Sequence, residues 1–235
     1  MIVDHDNQRV LEVLADREKS TVLAYLKEAK QGVLAQVQEV TMDMWKGYVG
    51  AVQEAFDASI TITIDRFHVM KNFQDCLSKA RRELQKTLPK EAAKELKGMR
   101  WLLLTNPEHL SPEGQEQLRQ CQEKFPRWKE LTEQREALRA IFEDRRITSP
   151  VQGRLRLQAW RERVQRLGIK ALERFCNTLT NWMDKIANYF RNRGSNGRTE
   201  GLNHGVRALL WRAYGMANFE NFRLRVLHCF GLQLN

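Results

Sequence analysis

Between Val37 and Asp65 the chain spells a strand, a helix and a second strand, and this succession constrains its fold more than any other feature. Val37 to Met42 reads as a strand that ends at Asp43, and Trp45 to Phe56 as a helix. Ser59-Ile60-Thr61-Ile62-Thr63-Ile64 is a strict polar and apolar alternation that ends at Asp65. Strands joined through a crossover helix pair in parallel, because a tight turn can only reverse the chain. Ahead of them, Met1-Ile2-Val3, the turn signal Asp4-His5-Asp6-Asn7-Gln8 and the alternation from Arg9 to Leu14 predict a hairpin. Asp16 to Lys30 predicts a helix with Val22, Leu23 and Leu26 inward. Strand, strand, helix, strand, helix, strand is the order of an α/β domain with a mixed sheet.

From Arg66 onward nearly every stretch has helical spacing. Phe67, Met70, Phe73, Leu77 and Ala80 recur at steps of three and four and predict one buried face, with His68, Lys71, Asp75, Lys79 and Arg82 on the other. Breaks at Asn106-Pro107, Ser111-Pro112, Pro126 and Ser149-Pro150 divide roughly a hundred further residues, rich in Arg from Arg135 to Arg166, into an all-helical insertion. Gly194-Ser195-Asn196-Gly197 ends it, and a last helix is expected from about Arg198 to Leu210 with Ser195 or Asn196 as its N-cap. The expected divisions are 1–74, 75–190 and 191–235, the first and last forming one α/β domain around the insertion.

Charge narrows the partners. Lys and Arg number 39 against 29 Asp and Glu, a formal net charge of +10, which favours a polyanion through counterion release. Cys76, Cys121, Cys176 and Cys229 lie tens of residues apart without zinc-ligand spacing and read as reduced, partly buried thiols. No signal peptide opens the chain and no apolar run reaches the roughly 18 residues of a membrane span, so the cytosol is the expected compartment.

Phosphoryl transfer with two divalent metals needs carboxylates gathered from separate elements, since hard cations take oxygen ligands. Asp43 is the first polar residue after a strand of a parallel pair, where α/β proteins gather ligands, although Asp there also caps helices routinely. Glu200 falls in the first turn of the last helix, where the helix dipole alone stabilises a carboxylate. It shares a polar face with Asn203 and Arg207, whereas Leu202, Val206, Leu209 and Leu210 point elsewhere. Asp65 ends its own strand and reads first as a cap, then as a ligand or an ion-pair partner of Arg66. His68 and Lys71 are candidates for phosphate contact or for a solvated face, and Trp45, Tyr48, Trp211 and Tyr214 read as packing residues, although an aromatic beside a basic cleft also stacks on unpaired bases.

Two strings go further than spacing: Asp43-Met44-Trp45-Lys46-Gly47-Tyr48 with Asp65-Arg66-Phe67-His68-Val69-Met70-Lys71, and Ser195-Asn196-Gly197-Arg198-Thr199-Glu200-Gly201-Leu202-Asn203. They resemble conserved blocks of the ISL-three insertion-sequence transposases, a branch of the DDE superfamily. Arg212-Ala213-Tyr214-Gly215 and Asn218-Phe219-Glu220-Asn221-Phe222-Arg223-Leu224-Arg225 resemble the C-terminal signature of that family. The resemblance implies a ribonuclease H-like fold in which two Asp and one Glu hold two Mg²⁺ (or Mn²⁺) ions. Asp43 matches the second carboxylate and Glu200 the third, as catalytic, metal-binding residues.

In the family the first Asp lies on a strand preceding the hairpin, behind zinc-binding and helix-turn-helix segments, so the chain is expected to be N-terminally truncated and inactive alone. Asp4 sits at a hairpin tip rather than on a central strand. The implied activity is cleavage and strand transfer of transposon-end and target DNA, by a homo-oligomer when full-length. Arg66, His68, Lys71, Arg198 and Arg207 are the candidate DNA contacts. A non-enzymatic DNA-binding or regulatory remnant is the alternative, and a metal-dependent nuclease using Asp43, Asp65 and Glu200 is a third reading.

Overall fold

The computed structural model describes residues 1–32, 34–56, 60–193, 197–213 and 215–231, and of 197–200 only the backbone. The chain forms two compact units, one made of 1–65 with 194–235 and the other of 66–193.

The first unit is α/β. Strands β1 (Ile2–Asp4) and β2 (Arg9–Glu12) form the expected antiparallel hairpin. The Asp4 carboxylate builds its turn, accepting the backbone N–H groups of Asp6 and Asn7 at 3.1 Å and the Arg9 Nε at 3.0 Å, and Gln8 takes the left-handed φ of 55° that closes it. Helix α1 (Lys19–Ala29) buries Val22 and Leu26 and packs against α2 (Lys46–Ala55), which buries Val49, Ala51, Val52 and Ala55. Strands β3 (Glu39–Met42) and β4 (Thr61–Ile64) flank α2 in sequence and run parallel, from Glu39 opposite Thr61 to Met42 opposite Ile64.

One expectation changes here. The single mixed sheet is replaced, among the described residues, by two separate two-stranded ladders, β1 with β2 and β3 with β4. Local alternation identifies a strand but not its neighbour, and no described backbone segment bridges the two ladders.

Two helices complete this unit. The expected α11 (Gly197–Arg212) is followed by α12 (Phe219–Phe230), which the sequence reading had not anticipated. Its signals are the Asn218 cap, whose side chain accepts the Asn221 N–H at 3.0 Å, and Phe222, Val226 and Phe230 at steps of four. Val10, Val13 and Val226 form a core against which Leu202, Val206, Leu209, Phe222, Leu227 and Phe230 pack. Gly205 permits the approach, since a Cβ there would lie 2.8 Å from the Phe230 ring. Arg223 grips the Glu12 carboxylate through two bonds of 2.6 Å and so ties the far end of the chain to the hairpin. Burial pushes the Glu12 carboxyl upward, but the bonds from Arg223 and from the Val13 N–H outweigh it and leave the group below the usual carboxylate range.

The second unit is helical: α3 (Arg66–Thr87), α4 (Lys90–Gly98), α5 (Arg100–Leu104), α6 (Pro112–Lys124), α7 (Pro126–Glu143), α8 (Pro150–Arg166), α9 (Lys170–Ala187) and α10 (Tyr189–Asn192). The sequence breaks become helix starts: Pro112, Pro126 and Pro150 each occupy a first helical position, where a missing N–H costs nothing. Ser111 and Ser149 cap α6 and α8 by accepting the N–H of Gly114 at 3.2 Å and of Gln152 at 3.3 Å. The core of the unit is aromatic. Phe73, Trp160 and Phe175 meet with centroids 4.7 to 5.7 Å apart, and Phe142 stacks on Phe190 at 5.6 Å.

Two arginines of this unit serve its packing. Arg135 is buried and donates to the carbonyls of Leu104 and Thr105 and to the Asn106 side chain. Arg193 gathers the carbonyls of Phe142, Asp144 and Ile147. A guanidinium whose donors are taken up by backbone carbonyls, buried for Arg135 and partly buried for Arg193, is a staple, not a ligand site.

Gly153 is the tightest point of this packing, because a Cβ there would meet the Phe190 ring at 2.0 Å. Gly153→Ala is expected to cost about 1 to 3 kcal/mol despite alanine's better helix propensity, since neither the helix nor the stacked ring can yield. Urea unfolding checks this, and a variant as stable as the parent would refute the close packing.

Candidate metal and nucleic-acid site

Asp43 lies directly after β3, and its side chain is exposed at the carboxyl end of the parallel ladder. The N-cap of α2 is Trp45, two residues beyond, and that residue makes no side-chain cap bond. The motif around Asp43 has a packing logic of its own. The Trp45 ring meets Tyr48 edge-on at 4.5 Å and lies where a Cβ on Gly47 would be, 2.2 Å from the nearest ring atom, so a side chain at 47 would displace it. Arg17 sits over the same ring at 5.9 Å. Burial lifts the Tyr48 phenol above its ordinary value, the Asp43 charge lifts it further, and Arg17 pulls it back. Trp45 and Tyr48 are therefore packing residues, as expected, and they brace the segment that carries Asp43.

Asp65 holds the equivalent place after β4. It is 1% exposed, and its N–H donates to the Met42 carbonyl at 3.1 Å, extending the ladder by one bond. Two carboxylates thus end neighbouring parallel strands, Asp43 open to solvent and Asp65 enclosed. Arg66 pairs with Glu143 at 2.8 Å, so its charge is already compensated within the helical unit.

Along α3, Val69, Phe73, Cys76, Leu77 and Ala80 are buried, whereas Phe67 is 49% exposed. The expected apolar face is therefore rotated at its start, with Val69 in place of Phe67. Phe67 instead meets His68 edge-on at 5.5 Å. Lys71, Asp75, Lys79 and Arg82 are exposed as the spacing predicts, and His68 is half-buried.

Helix α11 separates its faces as expected, with Leu202, Val206 and Leu209 on the core and Asn203 and Arg207 exposed. The side chains of Arg198 and Glu200 lie outside the described residues, as does Tyr214. Trp211 is a correction: it is 88% exposed rather than packed. The helix turns only one side to the core, and position 211 falls on the other.

Asp43 supplies the hard oxygen donor that a divalent cation takes, at the strand end where such donors collect. Among the described residues no group of three His, Cys, Asp or Glu side chains converges. Asp4 is committed to its turn: burial raises its carboxyl, but bonds from Asn7 and Arg9 outweigh this and hold it below the usual range. Cys76, Cys121 and Cys176 are buried free thiols and Cys229 is exposed. Burial pushes Cys121 up to about 12 and Cys176 to about 11, far from thiolate chemistry. No described helix is long and apolar enough to cross a membrane.

The profile of a transposase family, the DDE type of the ISL-three elements, matches residues 1–226, and the chain belongs to that family. Among curated proteins it is similar to the transposase for insertion sequence element IS1001 of Bordetella parapertussis, with 25% identity over 240 residues. That alignment takes in 98% of this chain and 56% of the relative, so the chain spans about half of that protein's length. No solved structure matches it.

Proposed function

We propose that this chain carries catalytic-domain residues of a transposase that cleaves DNA at transposon ends and joins the new ends to target DNA. The observation that carries this reading is Asp43 at the open carboxyl end of β3, within a family match that runs through both motif strings. Asp43 and Glu200 are the residues that would hold Mg²⁺ or Mn²⁺, with a third carboxylate implied by the family. Such ions supply the positive charge that offsets the attacking and leaving oxygens of an in-line phosphoryl transfer.

In the ribonuclease H-like reading, a central strand pairs with β1 on one side and β3 on the other, and the two ladders then become one mixed sheet. Water would break the first phosphodiester bond, releasing a 3′-hydroxyl. That hydroxyl would then displace the 3′-oxygen of a target phosphodiester.

The chain's own cations hold the polyanion. Lys71 and Arg207 are exposed, and His68, Arg66 and Arg198 are further candidates for phosphate contacts. Arg156, Arg163 and Arg166 on α8 add exposed positive charge in the helical unit. Binding dominated by such groups is largely insensitive to sequence and releases counterions. Affinity for duplex DNA is therefore expected to fall by about a hundredfold or more when salt rises from about 50 to about 200 mM. Titration of labelled duplexes by anisotropy reads this, and an affinity flat across that range would remove phosphate contact from the proposal.

A further inference from the structure

The six tryptophans have different environments. Trp128 and Trp160 are fully buried, Trp45 and Trp182 are partly buried, and Trp101 is less than half exposed, whereas Trp211 has nearly its whole indole in water. An indole is the largest apolar side chain, and leaving it in solvent forgoes the burial that usually retains it. Just beyond the end of α11, Gly215 takes a φ of 89° and its N–H donates to the Leu210 carbonyl at 3.0 Å. Leu210, Trp211, Arg212 and Gly215 line an open hollow of about 640 Å³.

The surroundings select the occupant. His204 and Arg207 precede Trp211 by seven and four residues on the same side of the helix, Arg212 follows it, and all three are exposed. No acidic residue occurs between Gly201 and Arg212. A protein partner with an apolar patch would have to desolvate the Arg207 and Arg212 guanidinium groups without pairing them. A nucleic-acid strand satisfies both parts, since its phosphates meet the cations while a base, freed from its pair, covers the indole. By helical period alone, position 200 shares a register with 204, 207 and 211.

We propose that Trp211 is a stacking platform for an unpaired base of the DNA end that this chain handles. The proposal rests on the transposase reading above and adds to it a specific contact with single-stranded DNA.

The test compares the 235-residue chain with Trp211→Ala and Trp211→Phe on two probes, a blunt duplex and the same duplex with a single-stranded overhang carrying 2-aminopurine. The parent chain should bind the overhang more tightly and change the fluorescence of the 2-aminopurine. Trp211→Ala should weaken overhang binding about tenfold and abolish that change, with less than a twofold effect on the blunt duplex. Trp211→Phe should recover most of the loss. Because the ring is exposed, circular dichroism should be the same for all three proteins.

If Trp211→Ala binds both probes like the parent, or weakens both equally, the stacking role is overturned while salt-dependent duplex binding keeps the transposase reading intact. If the parent binds neither probe, the transposase reading fails at its DNA contact and takes this proposal with it.

Discussion

Asp43→Asn and Glu200→Gln are each expected to lower metal-dependent strand transfer by more than about a hundredfold when the chain is assayed with a polypeptide that supplies the family's third carboxylate. Even groups that only hydrogen-bond to a metal's ligands cost about 10- to 100-fold when removed, and a direct oxygen ligand contributes more. For Asp43 the loss should be catalytic rather than structural: its side chain is exposed, and such substitutions change stability by about 0.5 kcal/mol or less. Asp65→Asn should instead show in the unfolding curve, because that residue is enclosed at the end of β4. The 235 residues alone, given Mg²⁺ or Mn²⁺ and duplex DNA, are expected to form neither nicked nor joined product. Product from them that Glu200→Gln abolishes would show a third ligand within these residues, and Asp65 and Asp4 would be mutated first.

Trp160→Ala is expected to destabilise the helical unit by about 3 to 5 kcal/mol. Trp160 is 1% exposed, lies edge-on to both Phe73 and Phe175, and donates its indole N–H to the Gln134 carbonyl at 3.2 Å. Truncation leaves a cavity beside the Phe73 and Phe175 rings and removes the donor from a buried carbonyl, and the two costs add. A loss this large is a sizeable fraction of the stability of a typical domain. Thermal and urea unfolding against the parent measure it. A shift below about 1 kcal/mol would mean that α3, α8 and α9 do not share this core.

The contrast between Trp160 and Trp211 marks what the sequence could not decide. Both lie in stretches with helical spacing, and both could be read as packing residues from the sequence alone. The side on which α11 meets Val10, Val13 and Val226 put position 211 in water, and that depends on residues some two hundred positions away. The arginines divide in the same manner. Arg135, Arg193 and Arg156 are alike in composition, yet the first two hold helix-end carbonyls and only the third faces solvent. Arg66 pairs with Glu143, a residue far along the chain that no local spacing announces.

What was legible was local. Alternation in 59–64, the turn residues after Asp4, and the prolines and serines that open α6 and α8 act through neighbours a few positions away, so strands, turns and helix starts followed directly. The places of Asp43 and Asp65 at strand ends were readable for the same reason, because a strand's end is written where its alternation stops. Pairing partners were not. Two ladders instead of one sheet, the Glu12 and Arg223 pair across most of the chain, and the solvent-facing Trp211 depend on which surfaces meet. Those contacts are selected by the burial of apolar faces against one another, a property of the assembled chain and not of any window within it.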